Sequence, residues 1–391
     1  MQFKGLTFGV PKEIMRGERR VSTIPDTVKK LVNSGARVLV EKGAGLGAYF
    51  SDQDYEGAGA ELISDAEEVY ANADLILKVK EPLFNPEKNK HEVEMMHKGQ
   101  TLVTFIHPAA PSNHRMVKDL AARGVISLTL DGIPRISRAQ SMDALTSMST
   151  VAGYKGVLMA ADRLGKFIPM IGTAVGMIKP AVVLVVGAGV AGLQAIATAK
   201  RLGAAVHAAD IRPDAAEQAK SLGAKIVEIG VPAEIAVGEG GYAKSLPDDW
   251  LQKEREALCE TVSKADIIIL TALIPGKLAP VLVTEEMVKS MSPGSAIVDI
   301  AIDQGGNCAL TVGGEVKEYD GVSIDGTKNI PGMVPVSSTW MFAHNIYNFV
   351  VNLIKDGRVN LNTEDEIIAS SLVTKDGKIV HNGALEAMGK A

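Results

Sequence analysis

The chain has 391 residues, of which 46% are hydrophobic and 22% charged, and its formal net charge is -5. Single cores rarely grow past roughly 250 to 300 residues, so this length predicts two globular domains. The modest negative charge, with no basic stripe, argues against nucleic acid as a partner and favours small-molecule ligands. Cys259 and Cys308 are the only cysteines and lie far apart. We therefore expect no disulfide, no metal and a reducing, cytoplasmic compartment.

Short apolar blocks alternate with longer amphipathic stretches, a pattern typical of parallel sheets covered by helices on both faces. In the first third the predicted strands are LTFGV, ARVLVE, ADLILKV, TLVTFI and VISLTL. In the middle they are AVVLVV, AAVHAAD, AKIVEI, ADIIILTAL, SAIVDIAI and GVSIDG. The sequence therefore predicts an α/β fold with two doubly wound, Rossmann-like domains of parallel strands, joined by long helices around a cleft.

Two long helices are predicted at the joins, at residues 139–165 and 338–356. Ser338 stands at the start of the second helix and Gly357 just past its end, as capping preferences favour. Asp376-Gly377, between apolar residues, predicts a β-hairpin. This last segment is too short for a domain of its own, so we expect the chain to return to the first domain. The predicted domains are residues 1–140 with 336–391, and residues 141–335.

The run AVVLVVGAGVAGLQAIATA, residues 181–199, is uncharged and long enough for a membrane span. Its glycines favour a buried strand, a tight turn and a helix instead. Gly187, Gly189 and Gly192 form G-x-G-x-x-G, and Asp210 follows near the spacing of a ribose-binding carboxylate. Arg212 would attract a 2′-phosphate, but the carboxylate before it would repel one. The pattern predicts NAD(H) binding, and a glycine turn needed only for packing is the alternative.

The stretch PRISRAQSMDAL, residues 134–145, gathers two arginines, an amide and a carboxylate. Ser137 and Gln140 fit a helix capping box, which would explain the stretch by local structure alone. That alternative accounts for neither Arg135 nor Asp143. Because Gln140 and Asp143 are three residues apart, on a helix they would share a face. With Arg135 they would offer the donors and acceptors that a nicotinamide carboxamide needs.

The same stretch, extended as PRISRAQSMDALTSMSTVAGYKG, closely resembles the NAD(H)-binding component of proton-translocating nicotinamide nucleotide transhydrogenases. So do GVAGLQAIATAKRLGA, EQAKSLGA, GGYAK, TALIPGKLAPVLVTEEMV and GGNC, and the similarity runs from VPKE to VTKDGKIVH. The resemblance implies a homodimeric, peripheral subunit at the inner face of the cell membrane, of the Re/Si-specific type. It would pass hydride from NADH to NADP⁺ on a separate partner component, with membrane-spanning subunits carrying the protons.

The resemblance also implies roles for individual residues. Arg135, Gln140 and Asp143 would hold the nicotinamide end, Thr146 would lie nearby, and a mobile loop bearing Tyr242 would close over the nucleotide. Direct hydride transfer between two nicotinamides needs positioning and water exclusion, not a general acid or base. Further nucleotide contacts are implied at Gly187, Gly189, Val190, Ala191, Gly192, Asp210, Ile211, Arg212, Ala272 and Leu273.

Four other residues fit a different chemistry. Arg20, Lys80, His107 and Asp303 resemble the substrate site of alanine dehydrogenases, where cations hold pyruvate and a histidine exchanges a proton. Asp303 stands where transhydrogenase components commonly have a glutamate. An NAD-dependent alanine dehydrogenase, converting L-alanine to pyruvate, is therefore one alternative, although RISRAQSMDAL is not part of its pattern. A non-catalytic NAD(H)-binding module is another, and packing alone would also explain the four residues.

Overall fold

A computed structural model describes residues 1–238, 241–274 and 278–389 of the chain. The Gly-rich loop at 237–249 and the segment TALIPGKLAP therefore each include residues outside the described ones, 239–240 and 275–277. The chain divides into two compact units, Met1–Met148 with Gly332–Ala391, and Ser149–Pro331. Within the described ranges, no helix combines the length and apolarity that crossing a membrane requires.

Strands and helices alternate along most of the chain. The described strands are β1 Thr7–Val10, β2 Arg37–Glu41, β3 Glu61–Ile63, β4 Leu75–Leu77, β5 Phe84–Asn85, β6 Lys90–His91, β7 Thr101–Thr104, β8 Ile126–Thr129, β9 Ile171–Thr173, β10 Gly176–Ile178, β11 Val182–Val186, β12 Ala205–Ala209, β13 Lys225–Ile226, β14 Ile267–Leu270, β15 Ala296–Asp299, β16 Val316–Tyr319, β17 Val322–Asp325, β18 Ile354–Lys355, β19 Arg358–Val359, β20 Leu372–Lys375 and β21 Lys378–Ile379. The described α-helices are α1 Pro25–Asn33, α2 Asp52–Gly57, α3 Ala66–Asn72, α4 Glu92–Met95, α5 His114–Arg123, α6 Ala144–Arg163, α7 Val190–Arg201, α8 Pro213–Ser221, α9 Ala233–Ala236, α10 Asp248–Lys264, α11 Glu285–Lys289, α12 Pro335–Leu353, α13 Glu366–Ser371 and α14 Asn382–Ala387.

The first unit is built on an eight-stranded sheet in the order β21-β20-β8-β7-β4-β1-β2-β3. Its strands pair in parallel from β8 to β3, whereas β20 pairs antiparallel with both β8 and β21. Parallel strands such as β4 are buried throughout, as expected of a sheet covered on both faces. Asp376 and Gly377 turn the β20–β21 hairpin with φ angles of 51° and 75°, the left-handed pair that Asp-Gly favours. The predicted hairpin is confirmed.

The second unit is built on a seven-stranded sheet in the order β13-β12-β11-β14-β15-β17-β16, parallel except for the β16–β17 pair. Along β11, Val183 and Val185 join one hydrophobic cluster, while Leu184 and Val186 join another, so both faces of the strand are buried. The chain moves from β11 outward to β13 and then returns to β14 on the other side of β11. This is a topological switch point, where such sheets bind ligands at the carboxyl ends of their strands. The predicted class, two Rossmann-like α/β sheets, is confirmed.

The two long helices differ from their predicted bounds. α6 begins at Ala144, later than predicted, because the preceding residues form a 3-10 turn, Ser137–Met142. α12 begins at Pro335, whose fixed φ suits a first helical position. Ser338 lies inside the first turn and donates from Oγ to the carbonyl of Val334 at 2.8 Å, so it is not the cap. The helix ends before residues 354–359, which form the β18–β19 hairpin.

Short strands outside the apolar blocks were not predicted. β3 and β16 lie at sheet edges and have no fully buried side chain, so they lack the buried run that marks a central strand. The β9–β10 hairpin of the second unit is similarly exposed, with Val175 98% and Met177 71% accessible. These exposed apolar side chains make the hairpin unusual for the surface of a monomer.

Candidate functional site

The turn between β11 and α7 carries the glycines of the G-x-G-x-x-G pattern. Gly187 has a φ of 89°, and a Cβ atom there would lie 2.8 Å from the backbone nitrogen of Ala272. A Cβ atom on Gly192 would lie 1.8 Å from the carbonyl oxygen of Gly187. Side chains do not fit at these two positions, so the turn stays tight and α7 begins at Val190. The first N–H groups of α7 lack intrahelical partners, which suits them to a pyrophosphate.

Asp210 follows β12 and faces the glycine turn. Its Oδ2 accepts a hydrogen bond from the backbone nitrogen of Ala188 at 2.7 Å. Arg212 binds the same carboxylate, donating from Nε to Oδ1 at 2.9 Å and from Nη2 to Oδ2 at 2.7 Å. These hydrogen bonds raise the pKa of Arg212, and the Asp210 side chain is only 5% exposed. A ribose at this carboxylate would therefore compete with a guanidinium that is already bound.

Arg212 also connects Asp210 to the Gly-rich loop. Its Nη1 donates to the carbonyl oxygen of Gly241 at 3.3 Å. Next along the chain, Tyr242 accepts at its carbonyl a hydrogen bond from the backbone nitrogen of Gly238 at 2.8 Å. The described part of the loop is thus folded back on itself, with Tyr242 near the strand end that carries Asp210. The predicted mobility of this loop stays a prediction.

Ala272 and Leu273 follow β14, the strand beside β11, so they reach the edge that holds the glycine turn. Thr271 Oγ1 donates to the carbonyl oxygen of Gly187 at 2.7 Å. Asn307 holds Ala272 from another direction: Oδ1 accepts from the Ala272 nitrogen, and Nδ2 donates to its carbonyl, both at 2.9 Å. Sequence reasoning assigned no role to Thr271 or Asn307. The motif GGNC contains Asn307 and is the sequence signal by which Asn307 could have been found.

Asp303 lies in the second unit, in the 3-10 turn Ile300–Gln304, and is exposed. The buried carboxylate of this segment is Asp299, whose Oδ2 accepts from the backbone nitrogens of Asn307 and Cys308 at 2.9 and 3.1 Å. Burial raises the pKa of Asp299, although these hydrogen bonds oppose the shift. The other three residues of the alternative substrate site belong to the first unit.

The RISRAQSMDAL motif lies in the first unit and forms the 3-10 turn Ser137–Met142 before α6. Asp143 caps α6: Oδ1 accepts from the Thr146 nitrogen at 2.8 Å and Oδ2 from the Thr146 hydroxyl at 2.6 Å. Gln140 and Asp143 do not lie together on α6, because that helix begins only after Asp143; Gln140 lies in the 3-10 turn and Asp143 directly follows it. The alternative capping box is not formed either, since the cap position of the turn is Ile136, without a side-chain hydrogen bond.

Several residues of the motif anchor the turn within the first unit. Arg138 Nη2 lies 2.6 Å from Asp365 Oδ1, and the hydrogen bond lowers the pKa of Asp365 to about 2. The carbonyl oxygen of Ser141 accepts a hydrogen bond from Asn345 Nδ2 of α12 at 2.9 Å. These contacts fix the backbone of the turn and leave its remaining polar side chains toward the surface.

The remaining polar residues of this segment differ in exposure. Arg135 and Gln140 are exposed, whereas Asp143 and Thr146 are half-buried. Together they supply a cation, an amide, a carboxylate and a hydroxyl on one short segment. Both oxygens of Asp143 already accept a hydrogen bond, and a carboxylate oxygen has a second lone pair for a ligand. The segment can therefore both donate to and accept from a planar amide.

Arg20, the first residue of the alternative substrate site, is buried and paired. Its Nε donates to Glu18 Oε1 at 2.8 Å and its Nη2 to Glu18 Oε2 at 2.6 Å, and both side chains are at most 2% exposed. Nη1 lies 2.9 Å from the sulfur of Met148. Because the pair is close to neutral, Arg20 attracts an anionic substrate less than a lone guanidinium would.

Lys80 follows β4, next to a buried ion network. Lys78 Nζ lies 2.9 Å from Glu92 Oε1 and 3.4 Å from Glu13 Oε2. Burial raises the pKa of Glu13 to about 7, and the charge of Lys78 opposes the shift. Glu13 Oε1 also accepts from the backbone nitrogen of Val79 at 2.6 Å. The network thus fixes the backbone that leads into Lys80, whose side chain is half-buried.

His107 follows β7 and forms a pair with Asp131. Its Nδ1 lies 2.7 Å from Asp131 Oδ1, and its ring stacks on Phe105 at a centroid distance of 5.7 Å. Burial lowers the pKa of His107, but the charge and hydrogen bond of Asp131 outweigh it, so the pKa is raised. Burial opposes a low pKa for Asp131, yet the same pair lowers it to about 2. The positive charge of Lys80 opposes the rise in the pKa of His107. The two residues follow neighbouring strands, β4 and β7.

The fold and the glycine turn define a Rossmann-type, dinucleotide-binding class of oxidoreductases. Two family models match the chain: "Alanine dehydrogenase/PNT, N-terminal domain" over residues 9–152 and "Alanine dehydrogenase/PNT, C-terminal domain" over residues 156–382. The chain belongs to this alanine dehydrogenase/pyridine nucleotide transhydrogenase family, as its motifs predicted.

Comparisons with individual relatives show which of the two kinds of protein in this family the chain resembles more. The chain is 44% identical to an NAD(P) transhydrogenase alpha-subunit component of Rhodospirillum rubrum, over 96% of this chain and 98% of the relative. A transhydrogenase structure from Sinorhizobium meliloti is 39% identical with a TM-score of 0.83, covering 96% of this chain and 100% of that one. An L-alanine dehydrogenase structure is 29% identical with a TM-score of 0.80, covering 98% and 99%. The chain is therefore more similar to transhydrogenase components than to alanine dehydrogenase.

Proposed function

We propose that this chain is the NAD(H)-binding component of a proton-translocating, Re/Si-specific NAD(P) transhydrogenase. In this role it passes hydride between NADH and NADP⁺ bound on a partner component. The observation that carries the proposal is the contact between Asp210 and the backbone of Ala188, which joins a ribose-directed carboxylate to the glycine turn at the switch point of the sheet. The RISRAQSMDAL motif and the 44% identity to a transhydrogenase subunit favour this member of the family.

The second unit would hold the adenosine and pyrophosphate moieties of the dinucleotide. Gly187, Gly189 and Gly192 leave room for the pyrophosphate at the start of α7, and Asp210 would accept from ribose hydroxyls. The absent side chains at Gly187 and Gly192 and the carboxylate at Asp210 fit such a group. Further contacts in this unit are proposed for Val190, Ala191, Ile211, Arg212, Tyr242, Ala272 and Leu273.

The first unit would hold the nicotinamide end. Arg135, Gln140 and Asp143 would orient the carboxamide, and Thr146 would hold the Asp143 carboxylate in place through the two hydrogen bonds that it donates. Bound NADH supplies the hydride. Since hydride transfer to a second nicotinamide needs no proton, the residues of this chain act by orienting the ring and excluding water.

The pairing of His107 with Asp131 favours a second candidate, an NAD-dependent alanine dehydrogenase. A carboxylate on Nδ1 orients an imidazole for proton exchange at Nε2, which reduction of a 2-oxo acid with ammonia requires. For this activity Arg20 and Lys80 would bind pyruvate and Asp303 would assist. The neutralised Arg20–Glu18 pair weakens the case, because the substrate is an anion.

Activity measurements with the purified chain separate these candidates. If the transhydrogenase proposal is right, the chain should bind NADH with a dissociation constant in the micromolar range or below. It should not catalyse the reduction of NAD⁺ by L-alanine, a reaction that would release ammonia. Alanine-dependent turnover that disappears in His107→Ala would establish the alanine dehydrogenase instead. NADH binding without turnover in any combination of partners would indicate the non-catalytic module.

We further propose a homodimer that associates with NADP-binding and membrane-spanning partners at the cytoplasmic face of the membrane. We propose that each copy has the two domains predicted from the sequence, residues 1–140 with 336–391 and residues 141–335. The exposed apolar side chains of the β9–β10 hairpin support self-association, because burial against a second copy would remove them from water. Val175→Asp is expected to shift the chain toward monomer in analytical ultracentrifugation. The control is Thr173→Asp, which adds the same charge to the same hairpin but replaces a polar side chain, and it should leave the association unchanged.

A further inference from the structure

Asn307 is fully buried and joins separate segments of the second unit. Its side chain pairs with both backbone groups of Ala272, through Oδ1 to the nitrogen and Nδ2 to the carbonyl, at 2.9 Å each. Nδ2 also donates to the carbonyl of Pro280 at 2.8 Å. Both amide protons of the side chain are thereby used.

The backbone of Asn307 anchors this junction to the sheet. Its N–H donates to Asp299 Oδ2 at 2.9 Å, and Asp299 is the fully buried last residue of β15. Its carbonyl accepts from the nitrogens of Leu282 and Val283 at 2.8 and 3.0 Å. Asn307 therefore reaches from the end of β15 to the segment that leaves the neighbouring strand β14.

Ala272 is confined from the opposite direction by the glycine turn. A Cβ atom at Gly187 would lie 2.8 Å from the Ala272 nitrogen and 2.9 Å from its Cα. Thr271 binds the turn as well, donating from its nitrogen to the carbonyl of Val186 at 2.9 Å and from Oγ1 to that of Gly187 at 2.7 Å. The Ala272 backbone thus lies between Gly187 on one side and Asn307 on the other.

We infer that Asn307 is a positioning residue for NAD(H), because it sets the distance between the Ala272–Leu273 backbone and the pyrophosphate-directed turn. The inference rests on the proposed function, which places both segments against the dinucleotide. Asn307 acts through Ala272 and need not touch the nucleotide. An asparagine is required because the backbone presents a donor and an acceptor together, and an apolar side chain would leave both unpaired.

The test compares NADH dissociation constants by fluorescence titration, at a temperature well below the unfolding transition of every variant. Asn307→Ala is expected to weaken NADH binding at least tenfold. Asn307→Asp keeps the size and the acceptor but loses both donated hydrogen bonds, so a loss of at least fivefold is expected. If Asn307→Ala does not fold, the NADH dissociation constant of Asn307→Asp tests the inference instead.

Val322→Ala is the matched control for general destabilisation. Val322 is fully buried at the start of β17, whereas Ala272 follows the carboxyl end of β14. Its variant should lower the melting temperature as the Asn307 variants do, yet bind NADH within twofold of the wild type. A folded Asn307 variant that binds NADH normally, or an equal loss in Val322→Ala, overturns the inference and leaves the proposed function standing. If the wild-type chain does not bind NADH, both the inference and the proposed function are overturned.

Discussion

The Asp210 carboxylate accepts two hydrogen bonds from the Arg212 guanidinium, at 2.9 Å from Nε and 2.7 Å from Nη2. The carboxylate that would select NAD(H) thus carries its own counter-ion. A ribose hydroxyl must share Asp210 with Arg212, and the guanidinium partly offsets the repulsion that a 2′-phosphate would meet. If the proposed function is right, we expect the selectivity for NAD(H) to depend on the balance between these two side chains.

Asp210→Asn is expected to weaken NADH binding about tenfold, because hydrogen bonds to a charged acceptor are stronger than those to a neutral one. NADPH binding should weaken less or improve, since Arg212 then faces the 2′-phosphate without a competing charge. The two dissociation constants, measured by titration, give the ratio that tests this. Asp214→Asn, an exposed acidic residue in the first turn of α8, serves as control and should leave the ratio unchanged. An unchanged ratio in Asp210→Asn would show that Asp210 does not select the nucleotide.

Gly192→Ala is expected to abolish NADH binding. Its Cβ atom would lie 1.8 Å from the carbonyl oxygen of Gly187, so the turn or the start of α7 has to move. Overpacking of this kind typically costs about 1 to 3 kcal/mol of stability, which calorimetry would detect beside the binding loss. Gly172→Ala is the control, because no atom lies within 4 Å of a Cβ built there and its φ is not left-handed. Normal NADH binding by Gly192→Ala would rule out this turn as the pyrophosphate site.

The central strands and the glycine turn could be predicted because their signals are local. Strands such as Val182–Val186 and Ile267–Leu270 are continuous aliphatic runs, which are typical of a sheet buried on both faces. The strand Val316–Tyr319, sequence VKEY, has no such run because it lies at the sheet edge with mostly exposed side chains. Edge strands gain their pairing from a neighbour that the sequence pattern does not reveal.

Side-chain pairing in the candidate site was harder to predict, because it depends on which atoms meet in space. Periodicity places Gln140 and Asp143 on one helical face, yet it does not distinguish a 3-10 turn from an α-helix or show that Asp143 is the cap. The Arg20–Glu18 pair lies in a stretch without regular secondary structure, where no periodicity indicates which side chains meet. Asn307 binds Ala272 across 35 positions of sequence, a contact that no local pattern specifies.

Glu254 on α10 is expected to make the second unit less stable as the pH rises. Its side chain is buried, and burial raises its pKa to about 7; Asp210 adds to the shift and Arg255 opposes it. The unfolded chain loses this proton near pH 4.3, so the folded state carries a cost that grows up to about pH 7 and is absent below about pH 4. Glu254→Gln should therefore raise the free energy of unfolding by about 1 to 3 kcal/mol at pH 8 and by much less at pH 5.

Urea unfolding of the variant and the wild type at both pH values provides the measurement. Glu256→Gln, an exposed position on the same helix, should change stability by the same small amount at pH 5 and pH 8. A Glu254→Gln effect that does not depend on pH would mean that Glu254 ionises normally in the folded protein.

Asp131→Asn is expected to lower the pKa of His107 by about one unit or more, because it removes the charge that stabilises the imidazolium. In the wild type the pKa of His107 is raised and that of Asp131 is lowered to about 2, so the pair stabilises the fold fully between about pH 4 and pH 6.5. This contribution is lost as the pH rises through the pKa of His107 or falls through that of Asp131. An NMR titration of the His107 ring measures the shift directly. The exposed Asp119→Asn on α5 is the control, and an identical His107 titration in all three proteins would disprove the pairing.

The transhydrogenase assignment is tested most directly by hydride transfer from NADH to an NADP⁺ analogue, with the purified chain mixed with the purified NADP(H)-binding component of a transhydrogenase. We expect reduction of the analogue only when both proteins are present, lost in Gly192→Ala and strongly slowed in Arg135→Ala. Absence of transfer from a chain that binds NADH, together with reduction of NAD⁺ by L-alanine that depends on His107, would contradict this assignment and identify an alanine dehydrogenase.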